Sequence, residues 1–225
     1  MTVSAADMAR RVREALATPR DGPLAAKLAA PLVTALVADA AEGPWLEPAL
    51  AAVSETLSTI GVPRGRQFVL LGSTEASGEP LARARAAALR RSLAMQVFAH
   101  DPSGAWFTAA RFPDGTAIEL DDELREAEAI VTVGLGSAGA GSVRGGPWLL
   151  LPGVASLATR RALARARAAG GEPAALALSL AAERAVPVDL ALSWDEAGVA
   201  TAASGRASFA ALASAAGLTL PEPAS

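Results

Sequence analysis

Short, unbroken apolar runs recur along this chain at intervals that only a few architectures can accommodate. They are Leu32–Ala38, Gln67–Leu71, Met95–Ala99, Ala129–Val133, Trp148–Leu151 and Val188–Ser193. A strand with one wet face alternates apolar and polar residues. A strand covered on both faces reads as a continuous run like these. The stretches between them carry helix punctuation. Leu46–Ile60 stops at Gly61 with Pro63 beyond, and Leu81–Leu93 starts after Pro80. Leu157–Ala169 ends at Gly170-Gly171, and Ser208–Ala216 ends at Gly217. Strand–helix repetition of this kind predicts an α/β fold, a mostly parallel sheet with helices on both faces. Trp106–Leu120, interrupted by Pro113-Asp114-Gly115, predicts a small β-hairpin insertion, and Asp195–Gly198 predicts a second tight turn.

The 225 residues suffice for one large domain with a substantial core. Residues 1–217 are expected to form a single α/β domain, and 218–225, with two prolines, a loosely ordered tail. Apolar residues make up 52% of the chain but aromatics only 4%, so Leu, Val and Ala must fill the core. A net charge of −3 argues against a nucleic-acid binder, which would carry a basic footprint. The chain has no cysteine and one histidine, His100, which excludes disulfides and thiolate or multi-histidine metal sites; no metal site is expected. The first residues mix charge throughout, unlike a signal peptide, and no run approaches a membrane span. A cytoplasmic protein with no membrane partner is the expectation.

The candidate chemistry lies at strand ends. Asp39 closes the first run, Gly72-Ser73-Thr74 follows the second and His100-Asp101 the third, where α/β proteins present ligand contacts. Each also has a structural reading, as a cap, a turn or a hydrogen-bonded rim histidine. Gly134-Leu-Gly-Ser-Ala-Gly139 spells G-x-G-x-x-G after a strand. No helix follows at once, though, and no acidic residue stands about 20 positions on, so dinucleotide binding is not supported. Arg144, Gly145 and Gly146 could hold a small anion through a guanidinium and loop amides. The arginines of the two basic helices, among them Arg85, Arg90 and Arg160, read as solvated faces whose stems cover apolar surface.

Taken in order, these segments resemble the N-terminal domain of the nickel-pincer-nucleotide lactate racemase family, over about Leu16 to Gly217. The similarity runs through Pro19–Leu24 and Leu36–Asp39, Gly61-Val-Pro63, Gly72-Ser-Thr, His100-Asp101, and the spacing of Gly115–Gly134. It continues through Gly145-Gly146, Leu151-Pro-Gly-Val-Ala155 and the closing unit Val188–Gly217.

What the resemblance implies is as much about departures as matches. The family's Asp-x-Thr-Arg-Pro falls on Asp39-Ala-Ala-Glu42-Gly43, which puts a carboxylate in place of a phosphate-binding arginine. The His and Arg of its Gly-Thr-His-Arg loop fall on Thr74 and Glu75. A strand-end His has no counterpart in Gly136–Gly141, and the lysine that anchors the cofactor covalently is matched by Trp148. The expectation is a lactate-racemase-like domain that has lost cofactor-binding and catalytic groups and does not bind the nickel-pincer nucleotide. It would act as a binding or partner subunit, to a racemase-like chain or a second copy. Two alternatives stay open: an enzyme of different chemistry using Asp39, Ser73, Thr74 and His100 in the same cleft, or a hydroxy-acid racemase completed by another chain.

Overall fold

Five of the six apolar runs assemble into one sheet. The structure, a computed structural model, describes residues 3–28, 32–73, 79–112, 114–139, 142–215 and 217. The side chains of 79, 137–139, 142–144, 147, 172 and 173 lie outside that description, as do Thr74, Glu75, Pro113 and the tail 218–225.

In chain order the helices are α1 (Ala5–Ala17), α2 (Leu24–Lys27), α3 (Leu46–Thr59), α4 (Glu79–Leu93), α5 (Leu157–Ala185) and α6 (Gly205–Ala215). The strands are β1 (Thr34–Asp39), β2 (Gln67–Gly72), β3 (Gln96–Ala99), β4 (Trp106–Arg111) and β5 (Ala117–Asp121). They continue with β6 (Ala129–Leu135), β7 (Ser137–Gly139), β8 (Ser142–Arg144), β9 (Leu190–Trp194) and β10 (Ala200–Ala203).

The main sheet runs β10-β9-β6-β1-β2-β3. Its pairs are parallel except β9 with β10, which close through the turn at Asp195–Gly198 as an antiparallel hairpin. Every residue of β1, β2 and β9 is buried, which is why their sequences do not alternate. β4 and β5 pair antiparallel as the predicted insertion, and no residue of β4 is fully buried.

Helices cover both faces. On one, α1, α3 and α4 pack Met8, Val12, Leu50, Val53 and Leu89 against Leu36, Val69 and Val131. On the other, α5, the β4–β5 hairpin and the segment through Leu151 enclose Val37, Leu70 and Ala191. α6 adds a third, smaller cluster in which Phe209 meets Trp148, Leu176 and Leu180. Among the described residues no helix is long and apolar enough to cross a membrane.

One expectation needs correction and one element was missed. Trp148–Leu151 is not a strand; Gly146–Leu149 is a 3-10 turn leading into a cis Leu151–Pro152 bond. An apolar run records burial, not conformation, and here two consecutive glycines at positive φ, Gly145 and Gly146, turn the chain away from the sheet. The helix beginning at Leu157 does break at Gly170-Gly171 as expected, but a second helical stretch that was not expected follows it. Gly171 leaves helical geometry (φ 70°, ψ −164°), and the second stretch runs as far as Ala185. The glycine pair breaks one helix and Pro173 opens its continuation.

Candidate functional site

A doubly wound sheet binds ligands where its strand order reverses, in the crevice beyond the strand carboxyl ends. This chain builds outward from β1 to β2 and β3, then returns to place β6 on the other side of β1. The crevice therefore opens between the ends of β1 and β6. Glu42, three residues past the end of β1, sits there: its Oε1 accepts the Leu135 N–H at 2.7 Å. Gly134 makes room for it, because a Cβ at that position would stand 2.9 Å from the same oxygen. Arg85, reaching across from α4, pins the loop by donating to the carbonyls of Ala40 (2.6 Å), Gly43 (2.8 Å) and Glu42 itself.

Burial pushes the Glu42 carboxyl up to about 7, helped by the charge of Asp39; the Leu135 N–H and the Arg85 guanidinium pull it the other way. An acid with a raised folded-state pKa keeps its proton in the native state after the unfolded chain has lost it. Stability therefore falls as pH rises from the ordinary glutamate value to about 7, by roughly 3 kcal/mol. Glu42→Gln keeps an acceptor for Leu135 and removes the ionisation. Urea unfolding of the variant should match the parent near pH 4.5 and exceed it in stability at pH 8. Equal pH slopes in the two proteins would refute the assignment.

Asp39, Ser73 and His100 stand at the ends of three neighbouring strands, β1, β2 and β3. Asp39 pairs in register with Gly72, and its Oδ1 accepts the Ala41 N–H at 2.8 Å. Ser73 is buried, and its N–H donates to the Gly153 carbonyl at 3.0 Å. His100 is only 3% exposed and lies edge-on to Trp106. Its Nδ1 is 2.7 Å from Asp121 Oδ2, and its Nε2 is 3.2 Å from the Ala155 carbonyl. Both ring nitrogens thus face partners within the fold, and the tautomer sets which of them donates. Neither nitrogen is left free to take a proton from a substrate. The ring ties β3 to the end of β5 and to the Leu151–Ala155 turn.

At Gly136, Gly145 and Gly146 the glycine-rich segment fits against the protein's own backbone and side chains. A Cβ on Gly136 would stand 2.9 Å from the Ser193 Cβ, and one on Gly146 3.0 Å from the Ser208 hydroxyl. At Gly145 it would fall closer than 3.0 Å to the Leu135 carbonyl oxygen. Gly145 and Gly146 thus lie toward β6, β9 and α6, apart from the β1–β2–β3 ends. Arg144 closes β8. Trp148 is buried and stacks on Phe209 with ring centroids 4.1 Å apart and planes 17° from parallel.

Arginines read as solvated also turn out to hold backbone carbonyls. Arg160 donates to Ala155 (2.9 Å) and Gly153 (2.8 Å), and Arg90 to Val97, as Arg85 does in the β1–α3 loop. Helical spacing alone could not reveal this, because the acceptors belong to loops and a strand outside the helices. Glu42 drew notice in the sequence only through the racemase resemblance; the sheet order is what sets it at the β1–β6 switch point. Among the described residues no three His, Cys, Asp or Glu side chains cluster to hold a metal.

No family model and no curated protein matches this chain. Solved structures do. The lactate racemase apoprotein from Thermoanaerobacterium thermosaccharolyticum superposes with a TM-score of 0.66 at 18% identity, over 88% of this chain and 52% of that one. A structural-genomics protein from Thermotoga maritima superposes with a TM-score of 0.55 at 13% identity, over 95% of this chain and 58% of that one. The chain spans little more than half the length of either. It shares its fold with that part of lactate racemase.

Proposed function

We propose that this chain is a lactate-racemase-like domain that has given up the family's reaction and works as a non-catalytic binding or partner subunit, pairing with a racemase-like chain or with a second copy of itself. One observation carries the reading: the Glu42 carboxyl, seated on the Leu135 amide, fills the crevice where the resemblance places a phosphate-binding arginine. A carboxyl group that ionises near pH 7 repels an anionic nucleotide and also occupies the amide that could have served it.

The residues do not fit the nickel-pincer nucleotide at a second position either. Trp148 stands where the family's anchoring lysine is expected, and its ring is spent on Phe209 inside a closed apolar cluster. His100 has both nitrogens engaged within the fold.

Native mass spectrometry of the full chain with the nickel-loaded nucleotide tests the reading. The expected spectrum shows apoprotein only, and incubation with one lactate enantiomer should leave it unconverted. A stoichiometric nucleotide adduct, or racemisation by this chain, would overturn it. Sedimentation of the chain alone, and mixed with a full-length lactate racemase, tests the partner role: a dimer or a complex supports it, and a monomer in both runs sinks it.

A further inference from the structure

The junction between α6 and the β9–β10 edge of the sheet is filled differently from the rest of the protein. Elsewhere Leu, Val and Phe fill the space between layers. Here the sheet offers Ala191, Ser193, Thr201 and Ala203, and α6 answers with Ala207, Ser208 and Ala211. Small side chains on both walls leave a cleft of about 290 Å³, with Leu212 of α6 as a larger apolar side chain along it. That is room for about ten heavy atoms, at about 30 Å³ each as in liquid water.

The polar groups of the cleft are under-used. Ser193 and Thr201 face each other across the hairpin, with hydroxyls 3.3 Å apart and no other side-chain partner among the described residues. Ser208 is only 7% exposed, yet its hydroxyl has no hydrogen-bond partner among the described residues.

Arg20 stands at the mouth, held by its own N–H to the Ala202 carbonyl at 2.9 Å. Its guanidinium makes no hydrogen bond or ion pair among the described residues. The nearby start of α6 is already capped, since the Ser204 N–H donates to both oxygens of Asp21 at 3.0 Å. The cleft's polarity is therefore that of its side chains, not of a helix end. Asp195 also lines the mouth, with Oδ1 committed to the Val199 N–H at 2.8 Å, and its negative charge disfavours a doubly charged ligand.

We infer that this cleft is a binding site for a small organic monocarboxylate, its carboxylate on Arg20 and the hydroxyls of Ser193, Thr201 and Ser208, its short body against Leu212 and the alanines of the two walls. A few convergent polar groups over an apolar floor is the usual build of a small-ligand site. The site is separate from the Glu42 crevice, so it stands whether or not the racemase reaction has been lost.

The test uses the full chain, titrated with sodium propionate and followed by amide NMR at Ser193, Thr201 and Ser208. Saturable shifts at these residues are expected. Arg20→Gln, a change at the cleft mouth that leaves the core untouched, should weaken binding by roughly tenfold or more, since a charge-assisted contact is lost. Ser208→Leu, which fills the cleft, should abolish binding. Neutral propionamide should not bind, and inorganic phosphate should bind more weakly than propionate. The proposal is overturned if no saturable shift appears, if Arg20→Gln or Ser208→Leu binds as the parent does, or if propionamide or phosphate binds as well as propionate.

Discussion

Gly145→Ala should be among the most damaging single-methyl changes in this protein, lowering stability by about 4 kcal/mol or more. Two penalties coincide there. The residue sits at φ +82°, a region in which a side chain costs about 1–2 kcal/mol by itself. The new methyl would also enter backbone that cannot swing aside: the Leu135 carbonyl oxygen closer than 3.0 Å, its carbon at 2.9 Å and the Gly136 Cα at 3.1 Å. Leu135 ends the central strand β6 and holds Glu42, so relieving the clash means moving the sheet or abandoning the crevice contact. Gly115 separates the two penalties, because its φ is +84° and nothing lies within 4 Å of the place a methyl group would take. Gly115→Ala should therefore cost only the conformational part, about 1–2 kcal/mol. Urea denaturation of both variants measures the pair. A Gly145→Ala protein no weaker than Gly115→Ala would show that the close approach to Leu135 is wrong.

The second large effect is expected at Trp148. Its ring is 3% exposed, stacked on Phe209 and enclosed by Leu176, Leu180 and Ala213. Trp148→Ala removes the largest side chain of that cluster and leaves a cavity, at a cost of about 3–5 kcal/mol. In a domain of this size that corresponds to a fall in Tm of roughly 10 °C or more. Trp148→Phe, which keeps an aromatic face for Phe209, should recover much of the loss. Trp148→Lys, which installs the residue the racemase resemblance calls for, should do worse than alanine, because an ammonium in this cluster would be buried without a partner. Scanning calorimetry of the three variants checks the order. A lysine variant as stable as the parent would mean that position 148 opens onto solvent or a ligand, and the closed cluster would have to be abandoned.

The main architecture was legible in the chain. The fully buried β1, β2 and β9 leave continuous apolar runs, and the half-exposed β4–β5 hairpin announces itself through Pro113-Asp114-Gly115. The helix end at Gly61 followed from the same local chemistry. Where the expectations failed, one cause recurs. The residues 148–151 are apolar because they are buried, and burial by itself does not say whether a segment pairs with a strand or plugs a gap between layers. The role of the arginines was missed because a guanidinium donating to a turn in a distant part of the chain, as Arg85 does, leaves no trace in helical spacing.

The sequence alone determined most of the strands and helices of the main sheet and that the sheet is covered on both sides. Local conformational preference and apolar periodicity act within a few residues, so the chain spells them out. The tertiary structure decided the strand order, and with it that Glu42 fills the crevice, that the glycines accommodate the protein's own backbone, and that small residues on α6 and β9–β10 leave a cleft beneath Arg20. Each of these depends on which distant segments meet, and that is set by the packing of the whole core rather than by any stretch of it.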